Sequence, residues 1–441
     1  MTTYRNALVL GLGVSGAAAA ELLLADGVSV VVADRSTDEA VEERARALRA
    51  AGADVVTGAK EWPEGMYNLC VVSPGLPVDS GWIAEVAERG VPVISELELA
   101  YEYCPCPVIA ITGTNGKSTL TRLCGDILEK AGKRVAIGGN YGTPACTTVR
   151  EAGPDDWLVW EVSSFQLETC LTFAPRVGVI LNIQPDHLDR HGSLARYAEL
   201  KVSMLTRMEP DGVAVVPALQ RDWMTAAVSN PVAWETFGLG DEADYIYRDG
   251  ELVHGADRVP VAGTYFDNPI TGQTAAAAWA VAAACGVAAS HVGEAIAAFT
   301  PLPHRMQQVS VQQDVTFVDD SKATNLAAMK AGLRMAGGPV RLIAGGRAKG
   351  EDLESVKEVL ANGVRSVYLV GEAAQSMQTA WGKVVTCRMC GTMEQAVKAA
   401  AADAASGEWV LLSPGCASFD QYPNYKVRGD DFAELVNKLE T

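Results

Sequence analysis

Val108-Ile109-Ala110-Ile111-Thr112-Gly113-Thr114-Asn115-Gly116-Lys117-Ser118-Thr119 is an apolar, β-prone run that ends in a glycine-bracketed lysine and two hydroxyls. A short apolar run of this kind, closed by glycine, reads as a buried strand that turns directly into a helix. Backbone N–H groups of such a turn, at a helix N-terminus, converge on phosphate oxygens. Lys117 then reaches the terminal phosphates, and Ser118 or Thr119 offers a hydroxyl to Mg²⁺. The spacing departs from G-x-x-x-x-G-K-[ST], because Ile111 stands at the first glycine position and Gly113 follows two residues later. An ordinary strand-turn-helix with a chance lysine is the plain alternative. Placement after a buried strand favours a nucleoside-triphosphate site.

The same grammar extends in both directions. Upstream, residues 6–10 are apolar, Gly11-Leu12-Gly13-Val14-Ser15-Gly16 follows, and an alanine- and leucine-rich helix runs to about Ala25. The next strand, Val28 to Ala33, ends at Asp34-Arg35. This is G-x-G-x-x-G with an acidic residue at the dinucleotide distance, a turn that serves any ligand carrying a diphosphate and a ribose or uracil. Ser73-Pro74-Gly75 supplies a second small-residue strand end. Downstream, Lys117 to Lys130 reads as a helix, and 135–137, 158–162 and 177–182 read as strands. The alanine run 275–284 reads as a buried helix, and Pro301-Leu302-Pro303 marks a boundary. Strands near 315–319, 340–344, 367–370 and 409–412 close the chain, each followed by a helical stretch. Alternation of this kind predicts an α/β protein of three domains, each a doubly wound, largely parallel sheet. The divisions fall at 1–98, 99–302 and 303–441.

A chain of 441 residues exceeds what one core usually serves. Its formal charge of −18 argues against nucleic acid and anionic membranes as partners. A phosphorylated ligand must therefore be met by locally clustered cations. No stretch approaches twenty apolar residues, and Met1-Thr2-Thr3-Tyr4-Arg5-Asn6 leads into a strand rather than a signal peptide. Ten scattered cysteines, with Cys104-x-Cys106 and Cys387-x-x-Cys390 lacking a second zinc half, fit a reduced cytoplasmic protein.

Several strand ends carry chemistry. Glu161, in Trp160-Glu161-Val162-Ser163-Ser164, is placed to hold Mg²⁺ directly or through water, against a capping role as the alternative. Asn182 to His191 contains Asp186, His187, Asp189 and Arg190, where His187 suits a metal and Arg190 an anion. His187 and His191 lack the third ligand a zinc site needs. Tyr197 and Lys201 share a helix face. Reaction of Lys201 with CO₂ would turn a cation into an anionic carbamate ligand; a surface lysine is the plain alternative. His304-Arg305 and Asp319-Asp320-Ser321-Lys322-Ala323-Thr324-Asn325 open the last block. There Asp320 suits a ribose, Arg305 a nucleotide, and Lys322 the charge on a developing phosphate intermediate. Ala344 to Lys349 and Ser413 to Asp420 end further strands.

In order and spacing, these motifs resemble the Mur ligase family across essentially the whole chain. The matching segments are GLGVSG 11–16, SPG 73–75, GTNGKST 113–119, GGNYG 138–142 and EVSSFQLE 161–168. They continue as DHLDRH 186–191, PHRM 303–306, DDSKATN 319–325, AGGRAKG 344–350 and SPGCASFDQY 413–422. The resemblance implies an N-terminal uridine-nucleotide domain, a central ATPase domain and a C-terminal domain that swings in with the amino acid. It implies ATP and two Mg²⁺ ions as cofactors, and UDP-N-acetylmuramoyl-L-alanine and D-glutamate as the substrates of a monomeric enzyme. Gly13, Ser15, Asp34, Arg35, Ser73, Gly75 and Asn140 would hold the uridine substrate. ATP would lie on Gly113, Thr114, Asn115, Gly116, Lys117, Ser118 and Thr119, with Arg305 and Asp320 completing its site. Ser118 and Glu161 would hold one ion, with His187 and a carbamylated Lys201 at the other. Lys322, Thr324, Lys349, Ser418 and Tyr425 would surround the amino acid, and Lys117, His187, Lys201 and Lys322 would serve catalysis. Where relatives carry an H-N-x-x-N-like motif, this chain has Asp267-Asn268 and Ile270 to Thr274, and no acidic residue precedes Lys349. A sibling ligase using another amino acid, a nicotinamide-dependent oxidoreductase and a non-catalytic nucleotide switch are the competing readings.

Overall fold

The computed structural model describes residues 4–77 and 81–440, so Met1, Thr2 and Thr3 of the opening stretch lie outside it. Three sheets carry the chain. The first contains β1 (Asn6–Leu10), β2 (Ser29–Ala33), β3 (Asp54–Val56), β4 (Leu69–Val72) and β5 (Val93–Ser95), in the order β3-β2-β1-β4-β5. All its pairings are parallel. Ala7 through Leu10 are fully buried, as a parallel strand covered on both faces requires. The helix Val14–Ala25 is buried nearly all round at Ala17 to Ala20, whose small side chains let the sheet and neighbouring helices lie close.

The second sheet contains β6 (Val108–Thr112), β7 (Val135–Gly139), β8 (Trp157–Glu161), β9 (Val177–Ile180), β10 (Val213–Pro217) and β11 (Ala233–Gly238). It continues with β12 (Tyr245–Arg248), β13 (Glu251–His254) and β14 (Asp257–Pro260), in the order β14-β13-β12-β11-β10-β9-β6-β8-β7. From β12 to β7 it is parallel; β13 and β14 add antiparallel pairings at the edge. The third contains β15 (Gln307–Gln312), β16 (Val315–Asp319), β17 (Val340–Gly345), β18 (Val364–Val370), β19 (Thr386–Gly391) and β20 (Trp409–Leu412). Its order is β15-β16-β20-β17-β18-β19, parallel except for β15 against β16.

The chain divides into two compact units: residues 1–183 with 195–298, and residues 184–194 with 299–441. The first unit holds two of the sheets. They are joined by the helix Glu96–Glu102, whose buried Glu98 accepts hydrogen bonds from the N–H of Thr172 and Phe173. Two expected strands are shorter than their apolar runs. Strand β2 starts at Ser29, and β9 stops at Ile180, because Leu181 and Asn182 leave the sheet to support the Gly113 turn. Each sheet has a central strand flanked by neighbours added in opposite directions, β1, β6 and β20. Loops at their carboxyl ends open the crevices where α/β proteins bind ligands.

Candidate active site

Strand β6 delivers the chain to Gly113, and the helix Lys117–Lys130 begins four residues later. Gly116 sits at φ +83, and a Cβ there would come 2.7 Å from the Leu181 side chain, so the turn requires glycine. Asn182 templates the loop: its Oδ1 accepts the N–H of Thr114 at 3.2 Å and of Asn115 at 2.9 Å, and its Nδ2 donates to the Asn115 carbonyl. These two N–H groups are therefore engaged within the chain. The donors aimed at an anion come from the first turn of the helix, which has no intrahelical acceptors for them.

Lys117 Nζ donates to the carbonyls of Gly113 and Thr114 at 3.0 and 2.9 Å, folding the ammonium back over the cradle. Ser118 Oγ donates to Glu161 Oε2 at 2.5 Å, and Asn140 Nδ2 donates to Glu161 Oε1 at 2.6 Å. Glu161 is the last residue of β8 and is buried. Ser118 and Glu161 thus present hard oxygen donors side by side, a donor set suited to Mg²⁺. Lys201 is buried; its Nζ donates to Gly113 O at 2.9 Å and to Thr112 Oγ1 at 3.2 Å, and lies 4.4 Å over the Tyr197 ring. Tyr197 in turn reaches Thr114 Oγ1. The surface-lysine alternative for Lys201 is excluded. Thr119 is buried behind the same turn.

At the first sheet, a Cβ on Gly16 would fall 1.9 Å from the Gly11 carbonyl, so helix and turn meet only through glycine. Gly13 caps the helix that contains Ser15, and Ser73 N–H bonds Leu10 O at 2.9 Å, bringing the Ser73-Pro74-Gly75 turn beside it. Asp34 is engaged by the chain itself: its carboxylate accepts the N–H of Leu12 and of Ser36. Arg44 Nε donates to the next peptide of the turn, at Leu12 O, at 2.8 Å. The sequence reading missed Arg44 because no motif marks it.

The second unit gathers the remaining candidates. Asp320, after β16, accepts from Ser413 Oγ at 2.8 Å and from Met306 N–H; burial pushes its carboxyl up to about 7, against the opposing charge of Arg305. Lys322 Nζ lies 4.1 Å over the Tyr425 ring, and the Thr324 N–H bonds the Lys322 carbonyl. His304 Nδ1 is 2.7 Å from Asp319, whose hydrogen bond raises the imidazole. Lys349, expected to meet the amino acid, pairs with Asp186 at 3.0 Å, while Asn325 Nδ2 donates to the other oxygen of Asp186 at 3.0 Å. Burial opposes ionisation of Asp186, but Lys349 and His187 outweigh it and hold that carboxyl low. Two donors, from loops expected to meet the amino acid, already grip a carboxylate here. Buried Arg428 ties the loop after β16 to the loop after β20, through Ser321 Oγ, Ser321 O and Cys416 O at 3.0, 2.8 and 3.1 Å. Ser418, in the loop after β20, is buried. His187 and Lys201, expected at one ion, fall in different units. Where the family motif diverges, Asn268 caps the helix Pro269–Ala284 by accepting from Ile270 and Thr271 N–H.

Residues 5–95 match the Mur ligase MurD-like N-terminal domain, 111–285 the Mur ligase middle domain, and 304–416 the Mur ligase glutamate ligase domain. The UDP-N-acetylmuramoylalanine–D-glutamate ligase of Koribacter versatilis is 38% identical, covering 99% of this chain and 98% of its own length. A ligase of the same name from Desulfovibrio desulfuricans is 36% identical, covering 98% and 96%. Among solved structures, the UDP-N-acetylmuramate-alanine ligase of Thermotoga maritima superposes with a TM-score of 0.63 at 16% identity, covering 99% and 100%. The MurF ligase of Thermotoga maritima in complex with ADP gives 0.64 at 17%, covering 93% and 94%. At such identities the structural likeness speaks for the fold.

Proposed function

The chain belongs to the Mur ligase family, and from that premise we propose that it joins D-glutamate to UDP-N-acetylmuramoyl-L-alanine, converting ATP to ADP and phosphate in peptidoglycan precursor synthesis. The observation that carries this reading is the meeting of Lys117, Ser118 and Glu161 at one cradle, in a chain alike end to end to ligases of that name.

A carboxylate does not react with an amine until its oxygen becomes a leaving group. Attack of the alanyl carboxylate oxygen on the γ-phosphorus forms an acyl phosphate and expels ADP. The D-glutamate nitrogen, having lost a proton, then adds to the acyl carbon, and collapse of the tetrahedral species expels phosphate. Lys117 would unfold from the Gly113 and Thr114 carbonyls onto the transferring phosphoryl group, and Lys322 would neutralise charge on the intermediate. Ser118 and Glu161 would hold one Mg²⁺, which supplies charge neutralisation at the phosphates. Lys201, as a carbamate, and His187 are the proposed holders of a second. Excluding water protects the acyl phosphate from hydrolysis.

The division of labour follows the proposed boundaries. Residues 1–98 would take the uridine substrate through Gly13, Ser15, Arg35, Ser73 and Gly75, with Asp34 shaping the turn and Asn140 near the diphosphate or muramoyl group. Residues 99–302 would take ATP, and residues 303–441 would supply Arg305 and Asp320 to the nucleotide and Lys322, Thr324, Lys349, Ser418 and Tyr425 to the amino acid. Dependence on ATP and a nucleotide-linked sugar fits a cytoplasmic enzyme, and a monomer suffices for it. No helix among the described residues is long and apolar enough to cross a membrane.

The oxidoreductase reading rests on the first glycine turn and Asp34, and it leaves Lys117 and its cradle without a role. ADP release tests the proposal, with the UDP-linked acceptor and each of D-glutamate, L-glutamate, alanine and a diamino acid. Release is expected with D-glutamate alone, falling by at least about a hundredfold in Lys117→Ala. Equal turnover with another amino acid would shift the assignment to a sibling, and binding of ATP without acceptor-dependent turnover would make the chain a switch.

A further inference from the structure

Arg35 leaves β2 from a fixed root. The preceding Asp34 accepts the N–H of Leu12 in the glycine turn and of Ser36 just beyond, so the backbone on either side of Arg35 is fastened to that turn. Its tip is fixed as well: the guanidinium carbon lies 4.4 Å over the ring of Trp82. Trp82 stands on the helix Gly81–Glu88, is only 5% exposed, and belongs to the apolar cluster with Leu10, Ala33, Trp62 and Val72 on one side of the first sheet. Among the described residues Arg35 forms no ion pair, in a chain whose 54 acidic residues outnumber its 36 lysines and arginines. That choice of partner has a chemical consequence. A carboxylate would consume the N–H edge of the guanidinium and cancel its charge. An aromatic ring takes only the face, leaving the five donors and the full charge for an incoming anion.

We propose that Trp82 is a positioning residue: it shelves the Arg35 guanidinium, pre-oriented and unneutralised, for the nucleoside diphosphate of the substrate. This rests on the reading of the first sheet as the uridine-nucleotide part. Arg35 is exposed, and without the ring its guanidinium would be free to turn toward neighbouring carboxylates of an acidic protein. Ordering it again would then weaken binding.

The test is a double-mutant cycle read by calorimetric binding of UDP to the full chain. Trp82→Leu should weaken UDP binding about fivefold when Arg35 is present. In the Arg35→Gln background the same change should matter less than about twofold, because the shelf then holds nothing. Trp82→Phe, which keeps a ring and the packing, should retain most of the affinity and the wild-type melting temperature. An equal loss in both backgrounds would make Trp82 a packing residue and overturn the proposal, as would no loss in either. If Trp82→Leu does not fold, Trp82→Met, which fills the apolar site without a ring, decides by the same comparison in the two backgrounds. Failure of the unaltered protein to bind UDP would instead remove the uridine reading, and this inference with it.

Discussion

Glu96 is fully buried at the helix that joins the two sheets of the first unit; one oxygen accepts the Cys146 N–H, and the other has no hydrogen-bond partner. Burial raises its carboxyl from 4.5 to about 7. A folded value above the unfolded one means that the native state holds the proton longer, so stability falls as pH rises from 4.5 through 7 and stays low above it. The gap of 7 − 4.5 corresponds to about 3 kcal/mol at most, at 1.36 kcal/mol per pH unit. Glu96→Gln should therefore gain stability over the parent between pH 5 and pH 8, read as urea midpoints at both; identical pH dependence would show that Glu96 does not titrate there. Lys201 makes a second claim at this scale. Its Nζ is buried beside the Gly113 turn, where, on the proposed function, an unmodified cation would repel the ions to be held there. Lys201→Ala should lose most turnover and regain part of it in millimolar formate or acetate; an inactive variant that no carboxylate revives would refute the carbamate. Side-chain pairs of this sort are poorly legible in sequence. Lys349 and Asp186 are 163 residues apart, and nothing local in either motif announces that they meet.

Elements were read more easily than pairs, and the reason is the period of their hydrophobicity. Strands β1, β6 and β20 are largely continuous apolar runs closed by small residues, β16 is broken by Thr316 and closed by acids, and each carries a loop of a candidate crevice. Block alternation does not anticipate β10 to β14, which are short and partly edge strands without intervening long helices. A signal was present: Asp249-Gly250, at φ +48 and +80, joins β12 to β13 as a two-residue hairpin turn with both residues left-handed. The helix Pro269–Ala284 was legible from its alanines, yet its start depends on Asn268, where family comparison suggests a ligand contact and the chain shows a cap. Asn268→Ala should cost about 1 kcal/mol in equilibrium unfolding, whereas Asn268→Asp should cost a few tenths at most. A neutral Asn268→Ala would mean that the cap contributes nothing and that the asparagine is kept for another purpose.

Across the whole molecule, an acidic chain places three of its proposed substrate-facing cations just past strand ends: Lys117 after β6, Lys322 after β16 and Lys349 after β17. Each is held in reserve by its own surroundings, two loop carbonyls, an aromatic ring and a buried aspartate respectively. Substrate phosphates and carboxylates would compete for partners already in place, so affinity is tempered and the cations stay oriented. The central claim is chemical: the alanyl carboxylate is activated by phosphoryl transfer from ATP held at the Lys117 turn. Acceptor labelled with ¹⁸O in that carboxylate decides it, by mass spectrometry of the phosphate released after turnover with ATP and D-glutamate. One labelled oxygen per product should appear in inorganic phosphate; phosphate carrying none, with the displaced label found in water or in the nucleotide, would contradict the account.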